Sequence, residues 1–324
     1  MARGFFGAAL VAAAMFAFIA PVKAQDKYPS RPITLVVPFD AGGGTDLVAR
    51  IFAQKLSEAL GQTVIVENRP RAGTVIGTAY VARSAPDGLT LLINGSTLAY
   101  HPSIFKSLPY DINKDLIPVA FISEQPYALV VNKDVAVNSI DDLVALAKKQ
   151  PGEIPYASAG IGSAMHLAAE LLWSRLGIKM LHVPYRGTGP AMTDLLGGQV
   201  KVMVTTATGA ADMVRAGQVK ALGISSAERS PTMPDVPTMA EVALPGYQHS
   251  SWLALFAPRG TPDAIIKTIS EATTKALHDP ELATRFAAQG LSVRIGSPEE
   301  LRTFFQQEVR RWAPVIKAAG IEPQ

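Results

Sequence analysis

The chain has 324 residues, 48% of them apolar and 18% charged, with 26 glycines, 24 prolines and no cysteine. That balance excludes a disordered chain, and the missing cysteine excludes disulfide scaffolds, thiolate metal sites, iron–sulfur clusters and cysteine nucleophiles. The formal net charge is +3, of which Arg3 and Lys23 contribute two; without them it is +1, so the chain carries no basic tract of the kind a nucleic acid selects.

Arg3, the unbroken apolar run Phe5 to Ala20 and the small-residue site Val22-Lys23-Ala24 read as a secretory signal over residues 1–24, cleaved after Ala24. The run is 16 residues long, shorter than the roughly 20 a spanning helix needs. The expected mature protein is exported, and its length of 300 residues fits about two domains.

The mature chain alternates short β-branched runs with helical patterns, the signature of parallel sheets covered by helices. Ile33 to Val37 is the first strand. Gly42, Gly43 and Gly44 break it, and Leu47, Val48, Ile51, Phe52, Leu56 and Leu60 repeat at helical spacing up to Gly61. A strand at Thr63 to Val66, a helix at Thr74 to Arg83 and a strand at Leu89 to Ile93 complete a βαβαβ unit. Val119 to Val131 is β-rich, interrupted by Ser123-Glu124-Gln125-Pro126, and a domain crossing is placed there.

Ser139 with Asp142 predicts a capped helix. Strands follow at Ile154 to Ala157, Met180 to Val183 and Val200 to Thr205, with helices at Ser163 to Leu176 and Pro190 to Leu196, and a further helix and strand ending near Ile224. After a strand at Ser251 to Ala257, only helices are expected, started by Thr261-Pro262, Asp279-Pro280 and Ser297-Pro298. These helices cover the first sheet. The first lobe is therefore discontinuous, 25–123 plus 252–324, and the second, 124–251, is inserted.

Three strand ends open through glycine-rich turns into helices: Pro38 to Asp46 (PFDAGGGTD), Ser158 to His166 (SAGIGSAMH) and Tyr185 to Met192 (YRGTGPAM). Free N–H groups and the helix dipole make such turns anion sites without a charged side chain. None ends in the Gly-Lys-Ser/Thr of a phosphate loop, and Met165 stands where a dinucleotide fingerprint needs glycine. Small carboxylates suit these turns better than nucleotides.

Ser163 and His166 lie on one helix face and invite a nucleophile-and-base reading, but no Gly-x-Ser-x-Gly elbow surrounds them. The alternative has Ser163 as the helix cap. The five histidines show no paired metal-ligand spacing. Asp46 reads as a first-turn carboxylate that helps the helix dipole, Arg69 as a loop salt bridge, and Arg71 as open between a loop contact and a distal ligand carboxylate.

The segments YPSRPITLVVPFDAGGGTDLVAR (Tyr28 to Arg50), VENRP (Val66 to Pro70), PDGLTLL (Pro86 to Leu92), YASAGIGSAMHLAAELL (Tyr156 to Leu172), VPYRGTGPAMTDLLGGQV (Val183 to Val200) and RSPTMPDVPTMAE with PGYQHSSW up to Trp252 resemble the substrate-binding proteins of tripartite tricarboxylate transporters, the Bug proteins. The resemblance runs over nearly the whole mature chain. It implies a two-lobed periplasmic binding protein of α/β class, a Venus flytrap (type II-like) of mainly parallel sheets flanked by helices, with two crossing strands as its hinge. It implies capture of a small organic carboxylate and delivery to membrane permease subunits, no enzymatic activity, no cofactor, no metal, no nucleic acid, and a monomer. It also implies that one ligand carboxylate is gripped by Phe39, Ala41, Gly42, Gly43, Thr45 and Asp46 of the first turn and by Ser158, Ala159, Gly160, Ser163 and His166 of the second.

Asp40, Arg71 and His249 depart from the residues usual in that family, and Thr205 and Thr206 replace a frequent acidic-amide pair. Losing that acid removes a partner for an amino group, so a ligand without one, a di- or aromatic carboxylate, is expected. Thr205, Thr206, Thr208, Ser96 and Thr97 are the expected hydroxyls at its distal end, with Phe39, Tyr185 and Trp252 as flat walls or core residues. Two other readings stand beside transport: a secreted hydrolase using Ser163 and His166, and a ligand sensor for a membrane receptor.

Overall fold

The structure is a computed structural model and describes residues 28–323; the signal segment expected over 1–24 lies outside them. The first strand, β1 (Ile33–Val37), is apolar on both faces because both are covered. Ile33, Leu35 and Val37 enter one core, and Val36 the other. The same period of two splits β3 (Thr90–Gly95), where Leu91 and Ile93 enter the first core and Leu92 the second. Fully burying each of these aliphatic side chains contributes about 1.5–3 kcal/mol.

Helix α1 (Gly44–Leu60) follows β1 and stops at Gly61, whose φ of 66° is left-handed. Then come β2 (Val64–Asn68), a single 3-10 turn at Ala72–Thr74, and α2 (Val75–Ala82). β1 pairs in parallel with β2 and β3, as the βαβαβ pattern predicts.

A helix not anticipated in the sequence, α3 (Ser96–Ile104), starts directly at the end of β3. The junction is Gly95, packed so tightly on the crossing chain that a Cβ there would overlap the Trp252 carbonyl oxygen. Ser96 and Thr97 are therefore the first residues of a helix.

The polar interruption at Ser123 to Pro126 does not break the chain into two strands. β4 runs unbroken over Leu116–Asn132. Up to Pro126 it pairs with β9 (Ser250–Pro258); from Tyr127 it pairs with β7 (Val202–Thr206) and β8 (Val219–Ile224). All three pairings are antiparallel, and β9 continues antiparallel onto β3. Between these crossing strands, α4 (Ile140–Lys149), β5 (Pro155–Ser158), α5 (Ala164–Leu176), β6 (Leu181–Pro184) and α6 (Thr188–Leu196) build the second unit, with β5 parallel to both β6 and β7. The strand order is β2-β1-β3-β9-β4-β7-β5-β6. Helix α7 (Ala207–Arg215) joins β7 to β8, and the short α8 (Met239–Val242) precedes β9.

The C-terminal segment comprises α9 (Asp263–Leu277), α10 (Pro280–Ala288) and α11 (Pro298–Ala318), but also a two-residue strand, β10 (Ser292–Val293), where only helices are expected. β10 pairs with β4 at Ser123 and Glu124. α9 and α10 pack on α1, while α11 packs on α3, β4 and α5. Two of the three expected caps form: Asp279 accepts from Glu281 and Leu282, and Ser297 forms a capping box with Glu300. Thr261 does not cap α9. Its hydroxyl donates to the Pro258 carbonyl, and Pro262 takes the cap position.

Candidate functional site

The first glycine turn is fixed from behind by Asp46, which is 3% exposed. Its Oδ2 accepts from the Gly42 N–H at 2.8 Å and from Arg50 Nε at 3.0 Å, and its Oδ1 from Asn68 Nδ2 at 2.9 Å. Burial alone raises the Asp46 pKa, but the bonds from Arg50, Gly42 and Asn68 together with the Arg50 charge bring it below the usual carboxylate range. Asn68 also donates to the Phe39 carbonyl. Asp46 thus acts on the shape of the turn, with its oxygens already engaged.

At the front of the turn, Gly43 occupies the N-cap of the 17-residue α1 and supplies no side-chain cap. The uncapped end opens on a cavity of about 250 Å³ lined by Gly44, Thr45, Ser123, Gln125, Ser251 and Gln289, among others. No lysine or arginine lines it. A register shift in β4 between Phe121 and Ser123 sets Ser123 into the wall, as bulges re-aim side chains. Ser123 is fully buried, and its Oγ has no partner. An unsatisfied buried hydroxyl costs about 1–3 kcal/mol. With the N-terminal dipole of α1, the cavity offers neutral donors to an oxyanion.

Gln125 ties this floor to the other side of the junction. Its Nε2 donates to Thr208 Oγ1 of α7 at 3.1 Å and, more weakly, to the Gln289 carbonyl at 3.4 Å. Gly290 lies directly against the Thr208 side chain, with no room for a Cβ.

The second turn is built differently. Ser158, fully buried, meets Gly160 N at 3.1 Å and His182 Nε2 at 2.6 Å through its Oγ. Gly160 and Gly162 have φ of 126° and 73°, conformations that glycine adopts without strain. Ser163 caps α5 by accepting from the His166 N–H at 3.2 Å. His166 Nδ1 accepts from the Gly162 N–H at 3.1 Å, so the two side chains form no nucleophile–base pair. Burial, with the nearby His182, pushes the His166 pKa down to about 4 and keeps the ring neutral. The third turn adjoins the second through the bond from Tyr185 N to Ser158 O at 3.0 Å, and its helix α6 starts at Gly187 without a side-chain cap. Of the three helix ends, then, the first and third are uncapped and the second is capped by its own serine. Gly162 faces Ile104 of α3, but no residue of the second or third turn lines the 250 Å³ cavity.

Other singled-out residues are occupied. Ser96 Oγ accepts from the Trp252 N–H at 3.1 Å, and Thr206 Oγ1 caps α7. Thr205 is fully buried with an unpartnered hydroxyl. Trp252 is a core residue, edge-on to Phe304 and Phe305, and Tyr185 donates to Asp194 at 2.7 Å. Arg69 pairs with Glu67 at 2.6 Å and lies over the Tyr80 ring. Phe39 packs at the edge of the first core, and Asp40, Ala41 and Arg71 are exposed. His249 is 3% exposed and stacks on Tyr127. Among the described residues, no cluster of three or more His, Asp or Glu is placed to hold a metal, and no helix is long and apolar enough to cross a membrane.

The model of the tripartite tricarboxylate transporter family receptor matches residues 48–321. This chain belongs to that receptor family. Protein BugT of Bordetella pertussis is 42% identical over 303 residues, 93% of either chain. Two solved structures are similar throughout. The periplasmic binding protein BugD is 38% identical with a TM-score of 0.73, and the R. palustris protein Rpa4515 with adipate is 34% identical with a TM-score of 0.76. Each match covers 92% of this chain and the whole of the other. Family and fold are those of periplasmic substrate-binding proteins rather than enzymes.

The cavity residues that the sequence did not assign to the site are Ser123, Gln125, Ser251 and Gln289. Gln125 and Ser251 carried a legible signal. Polar residues within strands otherwise apolar on both faces mark the place where a strand leaves the core for a cavity.

Proposed function

We propose that this receptor captures a small di- or aromatic carboxylate between two lobes and delivers it, in the closed form, to the permease of a tripartite tricarboxylate-type transporter. The observation that carries this reading is the uncapped N-terminus of α1 opening on a cavity lined by Ser123, a residue whose hydroxyl is buried and has no protein partner. An anion there meets neutral donors only, consistent with binding through dipoles and hydrogen bonds.

In this reading Ala41, Gly42, Gly43 and Thr45 approach one carboxylate with Ser123. Ser158, Ala159 and Gly160 close from the opposite lobe. Thr205, Gln125 and Ser251 meet the distal end, where the absence of an acid favours a ligand without an amino group. The adipate named for one structural neighbour supports the dicarboxylate class. The lobes are 25–123 with 252–324, and 124–251; the partner switch of β4 from β9 to β7 and β8 at Pro126 and Tyr127 supports a hinge beside these boundaries. Export follows cleavage after Ala24.

Small-angle scattering of residues 25–324 with and without adipate tests capture by closure. The radius of gyration should fall at saturation, and an unchanged radius at saturation would refute closure.

A further inference from the structure

Behind the second glycine turn, His166 of α5 and His182 of β6 stack face to face, with ring centroids 3.8 Å apart and planes within 8°. Each ring is bonded to the turn. The Gly162 N–H can only donate, so His166 Nδ1, its partner at 3.1 Å, carries no proton, and the proton of the neutral ring sits on Nε2. His182 Nε2 meets Ser158 Oγ at 2.6 Å, and Ser158 Oγ meets the Gly160 N–H at 3.1 Å. Both glycine N–H groups are thus held in place, directly or through Ser158, by the stacked pair.

The other titratable groups facing the pair are Tyr156 of β5 and Glu170 of α5. Tyr156 stacks on His182 at 5.0 Å and donates its hydroxyl to Glu170, whose Oε1 lies 4.0 Å from His166 Nε2. Burial raises the Glu170 pKa despite the Tyr156 bond and lowers that of His182. Among the described residues no lysine or arginine is bonded to either ring.

We propose that His166 and His182 are positioning residues for capture: they hold the second glycine turn in its ligand-receiving shape through Nδ1 of one ring and Nε2 of the other, and His166 does not touch the ligand. This rests on the reading of the second turn as a ligand contact, and it replaces the direct role that the family resemblance implies for His166. Protonation of His166 Nδ1 removes the acceptor for Gly162 and releases the turn.

Asparagine places its Oδ1 where Nδ1 stands, and glutamine reaches toward Nε2, so two variants separate the roles. Adipate affinity of residues 25–324 is measured by calorimetry for the parent, His166→Asn and His166→Gln, each first shown to be folded by circular dichroism, from pH 7.5 to pH 4. Amide exchange at Gly162 is followed in the same samples. The expected result is that His166→Asn binds within about threefold of the parent at pH 7.5 and His166→Gln at least tenfold more weakly. Gly162 protection should fall in His166→Gln only. As the pH approaches 4, the parent should lose about twofold in affinity beyond any loss in His166→Asn; adipate's own titration is common to both.

Rescue by glutamine and not asparagine would overturn the proposal and assign Nε2 to the ligand. Unchanged Gly162 protection in His166→Gln would overturn it as well. If adipate binds none of the three proteins, the capture reading loses its support, while Gly162 protection still decides the positioning role.

Discussion

Arg71 has φ 103° and ψ 158°, a backbone region populated almost only by glycine. Ala72 and Thr74 also have positive φ, 48° and 78°, on either side of Gly73. The turn is held by its surroundings. His101 Nε2 donates to the Gly73 carbonyl at 2.8 Å and lies 3.0 Å from Thr74 Oγ1, while Tyr110 bonds His101 Nδ1 at 2.6 Å. The Arg71 side chain is exposed, and its carbonyl still accepts from Thr74 N at 3.2 Å whatever residue stands there. Replacing Arg71 with glycine therefore removes about 1–3 kcal/mol of backbone strain. It returns about 0.4–1 kcal/mol as unfolded-chain entropy. The net expectation for Arg71→Gly is a stabilisation of roughly 0.5–2 kcal/mol, read as a higher urea midpoint at constant m-value and a rise of a few degrees in Tm. An unchanged or lower midpoint would refute the strain argument and show that the Arg71 side chain contributes an interaction of at least equal size.

Ser123→Ala removes a buried hydroxyl that has no protein partner, so the unliganded protein should be more stable than the parent, by up to about 1–3 kcal/mol, while affinity for the captured acid falls by about 1–1.4 kcal/mol, or five- to tenfold; thermal unfolding and calorimetry separate the two effects. Gln125→Ala breaks the bonds to Thr208 and Gln289 and should enlarge the radius of gyration of the unliganded protein, which small-angle scattering measures. Acid should destabilise the fold. His101 and His166 are pushed by burial to about 4 from an ordinary 6.5, so their contribution is fully present above pH 6.5 and is lost as the pH falls from 6.5 to about 4. The loss is on the order of 3 kcal/mol for each ring, visible as a falling urea midpoint over that window. A midpoint constant between pH 6.5 and 4 would contradict it.

Most of the architecture was legible because its signals are local. β1 is bounded where the apolar run ends, α1 stops at a left-handed glycine, and three of the capping residues act as their spacing predicts. What escaped depends on tertiary contact. α3 carries no apolar periodicity of its own and begins at Gly95 because the crossing strand leaves no space for a side chain. β10 is two residues paired to a strand some 170 positions earlier, as the 170-residue span from Glu124 to Arg294 shows. At the site, the three glycine turns were visible in sequence, but their difference was not. Whether a helix end is free depends on where one serine oxygen points, and Ser163 turns back on its own helix while Gly43 and Gly187 offer nothing. The hydroxyl at Ser123 was hidden by a bulge that no periodicity announces.

The most direct test of capture is a thermal-shift panel on residues 25–324, comparing small di- and aromatic carboxylates with aspartate and glutamate. A true ligand at a hundred times its Kd should add about 2.7 kcal/mol of apparent stability. Capture through Ser123 predicts that rise in the parent for an acid without an amino group and, with affinity five- to tenfold weaker, a rise of only about 1.4–1.8 kcal/mol in Ser123→Ala at the same concentration. Stabilisation by aspartate or glutamate in preference to every unaminated acid, or an equal response from Ser123→Ala, would contradict it.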